Sequence, residues 1–256
     1  MYCGGFNKLN HRKLNLLDSP IFFLYLFYSI PQNLLLCYTS FMARCVIVSG
    51  AKISDYDRIH SLLFNDDFFI FCDGGLEHAV SLGVKPSLIL GDFDSFDKNN
   101  LSQFGNAETI FLPCEKDDTD TFFAVKEGLK RGFTEFLLLG TIGGRFDHSL
   151  CNVSALLYLF NRGAEAVIAD DYSIMRVTGS RPDGTFAEVK VGECSYFSLM
   201  NITGDAEGVT IKNAKYSLED AVVKAEFALG VSNENLPGKN ACVTVKKGQL
   251  LLIEVF

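Results

Sequence analysis

Phe68-Phe69-Ile70-Phe71-Cys72-Asp73-Gly74-Gly75 is the stretch that decides the fold. An unbroken apolar run from Phe68 to Cys72 leaves no polar face, so it reads as a strand buried on both sides. It stops on an acidic, glycine-rich turn. Cys45–Gly50, Ser87–Leu90, Thr109–Leu112, Glu135–Leu139 and Ala166–Ala169 repeat the pattern, each short and bounded by turn residues. The segments between them have helical period. Asp118 to Lys130 sets Phe122, Val125 and Leu129 on one face and stops at Gly132, and a second helix is predicted from about Asp147 to Asn161. Alternation of strand and helix implies an α/β domain with a mainly parallel sheet and helices on both of its faces.

Beyond Asp171 helical signals fade. Thr185–Val191, Cys194–Met200, Gly208–Ile211, Val222–Leu229, Ala241–Val245 and Gln249–Val255 read as successive β runs, which predicts an all-β sandwich. The expected organisation is an extension over 1–41, an α/β domain over 42–171 and a β-sandwich over 172–256. The extension has a basic start, an apolar run from Ile21 to Ile30, then Pro31 and a second apolar stretch from Leu34 to Tyr38. It imitates the charged and apolar regions of a signal peptide. Pro31 and Gln32-Asn33 break the run short of the roughly 20 apolar residues of a membrane span, and no A-x-A pattern follows. The reading preferred here is that Met42 is the true start and the extension is dispensable.

Acidic residues number 31 against 23 basic ones, a formal charge of −8, and the longest basic cluster is only His11-Arg12-Lys13. Nothing matches the basic stripe that a nucleic-acid backbone requires, so neither nucleic acid nor membrane is an expected partner. The eight cysteines are scattered, without a C-x-x-C pair, and several lie inside apolar runs. They read as reduced core residues of a cytoplasmic protein.

Chemistry collects where strands end. Asp73-Gly74-Gly75, Gly91-Asp92-Phe93-Asp94-Ser95 and Gly140-Thr141-Ile142-Gly143-Gly144-Arg145-Phe146-Asp147-His148 each follow an apolar strand, and Lys116-Asp117-Asp118-Thr119-Asp120 opens a helix. In an open parallel sheet the ligand lies beyond the carboxyl ends of the strands, where these turns converge. Asp73, Asp92, Asp94 and Asp120 gathered at one edge would repel one another unless a hard cation sat between them. Magnesium suits such a place, because it takes one or two carboxylates together with water and substrate phosphates. Singly, each Asp could be a turn former or a helix cap. Gly143-Gly144 admits a close ligand, the helix behind it aims free N–H groups the same way, and Arg145 can clamp phosphate oxygens; alone, a Gly-Gly turn could equally be a plain connection. His148 and Asn152, four apart, share a helix face; a capping or orienting role for His148 is weighed above that of a base. Neither a P-loop nor a G-x-G-x-x-G motif is present.

Together with Asn152 and Gly230-Val231-Ser232-Asn233-Glu234, these motifs resemble the ordered set of the thiamine pyrophosphokinase family, over about Cys45 to Phe256. The resemblance implies ATP, magnesium and thiamine as ligands and a homodimer with sites between subunits. It gives Asp73, Asp92, Asp94 and Asp120 to the metal, and makes Asp73, Asp92, Asp120 and Arg145 the catalytic set. Gly74, Gly75, Asp94, Ser95, Asp117, Thr119, Gly143, Gly144, Asp147, His148 and Asn152 go to the nucleotide, and Ser232 and Asn233 to the thiamine pyrimidine. The chain has no tryptophan, which some relatives stack on thiamine, so another aromatic or an aliphatic wall has to replace it. A diphosphokinase for another hydroxymethyl heterocycle, or an inactive thiamine or nucleotide sensor, are the alternative readings.

Overall fold

The strand β1 (Cys45–Val48) is central to a parallel array, flanked by β2 (Phe68–Cys72) and β5 (Glu135–Leu139), with Val48 in register with both Phe71 and Leu139. The computed structural model describes residues 43–93, 104–105, 107–113, 115, 117–227 and 229–256. The expectations for the extension, and those for Asp94 and Ser95, lie outside the described residues. β3 (Leu88–Gly91) and β4 (Glu108–Phe111) continue the array beyond β2, and β6 (Glu165–Ala169) continues it beyond β5.

The uninterrupted apolar runs work because alternate residues feed two separate cores. Cys45, Ile47, Ile70, Cys72, Leu88, Leu90, Phe136 and Leu138 face one, and Val46, Val48, Phe69, Phe71, Ile89, Leu137 and Leu139 face the other. The first core is covered by α3 (Asp120–Lys130) and α4 (Phe146–Phe160) through Ala124, Val125, Ala155, Leu156 and Leu159. The second is covered by the short helices α1 (Tyr56–Ser61) and α2 (His78–Leu82) through Ile59, Ala79 and Leu82. Removing the fully buried Leu156 side chain as far as Ala would cost about 2–5 kcal/mol.

The chain then reverses. β7 (Ser173–Gly179) pairs antiparallel with β6 and with β14 (Gln249–Val255), and β9 (Tyr196–Asn201) and β12 (Gly230–Asn233) complete a sheet of ten strands ordered β12-β9-β14-β7-β6-β5-β1-β2-β3-β4. A second sheet, β11-β10-β13-β8, faces its antiparallel end. It comprises β8 (Val189–Lys190), β10 (Ala206–Lys212), β11 (Leu218–Val223) and β13 (Cys242–Thr244). Val209, Ile211 and Val243 from the second sheet meet Phe197, Leu199, Leu250 and Leu252 from the first in a third core, the interior of the sandwich. β14 shows how the two parts join: Leu250 and Leu252 enter the sandwich while Leu251 turns to the core beneath α4.

Four details differ from the sequence reading. β7 was not foreseen. The run expected over Thr185–Val191 pairs only at Val189–Lys190. Of the β run expected over Val222–Leu229, Val222 and Val223 end β11 and 225–227 form a turn, while Gly230–Asn233, read as part of a polar loop, is an edge strand with an irregular register against β9.

Candidate functional site

Each parallel strand delivers its motif to the same edge. β2 ends on Asp73, which is buried and held at φ +36°, and a 3-10 turn carries the chain from Asp73 to Glu77. Beside it β3 closes on Gly91, where an added Cβ would lie 3.0 Å from the Asp73 Cβ; Asp92 follows directly. The end of β1 is closer still to the Asp73 turn, since a Cβ on Gly75 would stand 2.2 Å from the Val48 carbonyl oxygen. After β5, a Cβ on Gly140 would stand 2.2 Å from the Ser49 carbonyl oxygen. These backbones approach so closely that no side chain fits between them. Positive φ in a residue other than glycine is uncommon and marks places where surrounding structure holds the chain against its preference. Three of the five such residues among those described, Asp73, Phe93 and Ser232, lie in the motif segments.

Asp120 reaches the edge from the other side as the first residue of α3. Thr119 is the cap, its hydroxyl accepting from the Phe122 N–H at 3.2 Å, which settles the capping alternative in favour of Thr119. Burial pushes the Cys72 thiol pKa up, and the negative charges of Asp120 and, more weakly, Asp73 push it further, so both carboxylates act at the end of β2. Asp117 is exposed, and Asp118 pairs with Lys126 at 2.7 Å. Among the described residues no three His, Cys, Asp or Glu side chains stand close enough together to hold a metal ion; the fourth expected ligand, Asp94, lies outside them. The donors that are described still suit magnesium: they are hard carboxylate oxygens, and a pair of them leaves room for the phosphates and water this ion prefers.

The glycine loop is shaped by α4. Asn152, expected to bind the nucleotide, is buried and donates its amide to the Thr141 carbonyl at 2.7 Å. Ser149 accepts the Gly143 N–H at 3.1 Å and donates to the Arg145 carbonyl at 3.3 Å. Space beside Gly143 and Gly144 is open, with no atom within 4 Å of an added Cβ on either. Arg145 is exposed and forks onto Asp147, Nη2 to Oδ2 at 2.6 Å and Nε to Oδ1 at 3.2 Å. That hydrogen bonding raises the Arg145 pKa and holds the Asp147 carboxyl below its ordinary value. His148 is exposed.

Ser232 and Asn233 are far from this edge. Seven strand spacings separate β12 from β2, and at about 4.8 Å each that is about 34 Å of sheet. Ser232 is exposed at φ +58°, its N–H donated to the Ser198 hydroxyl at 3.0 Å. Asn233 is buried; its amide oxygen accepts from the N–H groups of Tyr216 at 3.0 Å and Glu234 at 2.9 Å, and its nitrogen donates to the Tyr216 carbonyl at 2.8 Å. These bonds fix the backbone of Tyr216, whose side chain is exposed.

Sequence reasoning missed Ser149, although a serine in the first turn of a helix behind a glycine loop is a recognisable capping signal. It also missed the buried pair Ser49 and Thr121, whose hydroxyls meet at 2.7 Å, and no local spacing could have shown it.

Comparison with known proteins follows the same division. A model of the thiamin pyrophosphokinase catalytic domain matches residues 59–168, and one of the thiamin pyrophosphokinase vitamin B1 binding domain matches residues 187–250. The chain is 25% identical to a thiamine pyrophosphokinase of Bacillus subtilis (strain 168) over 215 residues, 81% of this chain and 96% of that one. It is 22% identical to thiamin pyrophosphokinase 1 of Caenorhabditis elegans over 201 residues, covering 74% and 80% respectively. Among solved structures, thiamine pyrophosphokinase from Bacillus subtilis is similar with a TM-score of 0.72 at 22% identity, over 83% of this chain and 98% of that one. Yeast thiamin pyrophosphokinase gives 0.66 at 14% identity, over 85% and 87%. These two likenesses show a shared fold.

Proposed function

Because the chain belongs to the thiamine pyrophosphokinase family, and so is an enzyme with a catalytic and a thiamine-binding domain, we propose that it transfers the terminal diphosphate of ATP to the hydroxyl of thiamine. The thiamine oxygen attacks the β-phosphorus in line, and the bond from that phosphorus to the oxygen bridging it to the α-phosphorus breaks. AMP leaves with the bridging oxygen, and the hydroxyl proton is lost to solvent. No enzyme intermediate is formed, so the protein's contribution is positioning and charge neutralisation.

The observation that carries this reading is the meeting of Asp73, Gly91-Asp92, Asp120 and the Gly140–Arg145 loop at the carboxyl edge of one parallel sheet. Asp73, Asp92, Asp94 and Asp120 would hold Mg2+, which when bound offsets the negative charge of the diphosphate. Gly74 and Thr119 border the same ground. α4 begins at Phe146, directly after the loop in which Gly143 and Gly144 are open, so a phosphate held there would gain from the helix N-terminus. Arg145 would exchange Asp147 for phosphate oxygens; both side chains are exposed, so the exchange costs little burial.

The sheet order supports a site completed by a second chain. Ser232 lies about 34 Å of sheet from Asp73 in its own chain, whereas a twofold partner can bring its own Ser232 to this edge. On this reading Asn233 shapes the turn that presents Ser232, and Tyr216 supplies the aromatic face that a tryptophan would otherwise give. A cytoplasmic location accompanies it, a reading that the free thiols of the described cysteines support. The test is a coupled assay for AMP with ATP and Mg2+, comparing thiamine with a pterin alcohol. Thiamine-dependent AMP is expected, and AMP formed only with the pterin would reassign the substrate.

A further inference from the structure

We infer that Ser49 and Thr121 are positioning residues for the two carboxylates at the sheet edge: their buried hydroxyl-to-hydroxyl bond ties the first turn of α3, which begins with Asp120, to the strand ends that carry Asp73. This rests on the reading of that edge as a cation and diphosphate site. The two oxygens are 2.7 Å apart, 72 residues separate the partners, and both side chains are buried.

Ser49 is a firm anchor. Its N–H is donated to the Leu139 carbonyl at 2.9 Å, continuing the β1 to β5 ladder, and its carbonyl is packed against Gly140. The turn that follows Asp73 packs on Ser49 as well, since a Cβ added to Gly75 would lie 3.1 Å from the Ser49 Cα. Ser49 therefore meets both the turn that follows Asp73 and the residue after Asp120. Thr121 is suited to the other end, because a β-branched side chain in a helix has few rotamers and so transmits the anchor's position to the backbone. Packing alone would be served as well by an apolar pair of the same shape. Two hydroxyls that satisfy each other add direction to the contact, and removing one strands its partner in the interior.

The experiment uses the full chain with ATP present and Mn2+ as the probe, a hard oxygen-seeking ion whose free fraction is read by electron paramagnetic resonance. Thr121→Val keeps the shape and deletes the hydroxyl; Ser49→Ala deletes the other. Groups that orient metal ligands typically change affinity by about 10–100-fold when lost, so each variant is expected to weaken Mn2+ binding about tenfold or more. The loss should fall on kcat with the thiamine KM little changed, and Thr121→Ser, which restores the hydroxyl, should recover the Mn2+ affinity. A folded Thr121→Val protein that binds Mn2+ as the unmodified chain does, with only its urea midpoint lowered, overturns the positioning role while the function stands. If Ser49→Ala does not fold, Thr121→Val alone decides. Should the unmodified chain neither bind Mn2+ with ATP nor release AMP, the functional reading and this inference both fall.

Discussion

Alanine at Gly75 would put its Cβ 2.2 Å from the Val48 carbonyl oxygen, 2.8 Å from the Val48 carbonyl carbon and 3.1 Å from the Ser49 Cα. Since real Cβ contacts essentially never fall below 3.0 Å, the turn and the strand must separate by at least 0.8 Å. The obstacle is backbone in the middle of the sheet, bonded on both sides to β2 and β5, so it cannot swing away as a side chain would. Overpacking of this sort costs about 3 kcal/mol. With a urea m-value of about 3 kcal/mol per M for a chain of this size, the midpoint should fall by about 1 M. Gly74→Ala is the control within the same turn. Its Cβ would meet only the Gly50 Cα, at 3.8 Å, and its φ is not positive, so the midpoint should hold or rise by up to about 0.3 M. Loss of AMP formation in that well-folded variant would then report a ligand approaching Gly74, whereas Gly75→Ala loses activity through the displaced Asp73. A urea midpoint for Gly75→Ala equal to that of Gly74→Ala would refute the steric reasoning.

Asp92→Asn is expected to abolish AMP formation with the urea midpoint held or raised, because a charge at a crowded acidic edge is removed; near-normal turnover would remove Asp92 from the site. His78 gives a pH dependence: its Nε2–H donates to the Ala51 carbonyl at 3.0 Å, so Nδ1 must accept the Tyr56 hydroxyl at 2.8 Å, and the imidazole is needed neutral. Burial holds its pKa below the ordinary 6.5, against smaller opposing effects of the Ala51 carbonyl and Glu77. That contribution is complete above pH 6.5 and is lost as pH falls through the folded value, so the urea midpoint should drop between pH 7.5 and pH 5.0 by more in the unmodified chain than in His78→Gln. Equal drops would show that His78 is not the group. For the shared site, Asp92→Asn refolded together with a Ser232→Ala/Asn233→Ala variant should regain activity, because one site of each mixed pair collects both lesions and the other none. A mixture as inactive as its parents, with subunit exchange verified by native mass spectrometry, would put both halves in one chain.

The parallel half was legible because burial on both faces leaves a plain mark, apolar runs such as Phe68–Cys72 with no alternation, and the edge was legible because those runs end on Asp and Gly. β7 was harder. Arg176 interrupts it with a partly exposed side chain that reaches Glu254 on β14, and the short turn at Asp170–Tyr172 resembles a boundary between domains. Gly230–Asn233 read as a loop because its residues run into the polar stretch Ser232-Asn233-Glu234-Asn235; in the strand itself Ser232 stands at positive φ, where the register against β9 is irregular. At the site, carboxylates and glycines could be found from local pattern, but the division of labour could not. Gly74 and Gly75 are adjacent in sequence, yet only the second meets β1. Ser49 and Thr121 show nothing until the sheet and α3 are assembled, since a contact across 72 residues has no period to betray it.

Following the reaction of ATP, Mg2+ and thiamine by 31P nuclear magnetic resonance tests the central claim most directly. AMP and thiamine diphosphate should appear one for one, with no ADP. Appearance of ADP with thiamine monophosphate would contradict attack at the β-phosphorus, and calorimetric binding of thiamine and ATP with no new phosphorus signal would contradict catalysis itself.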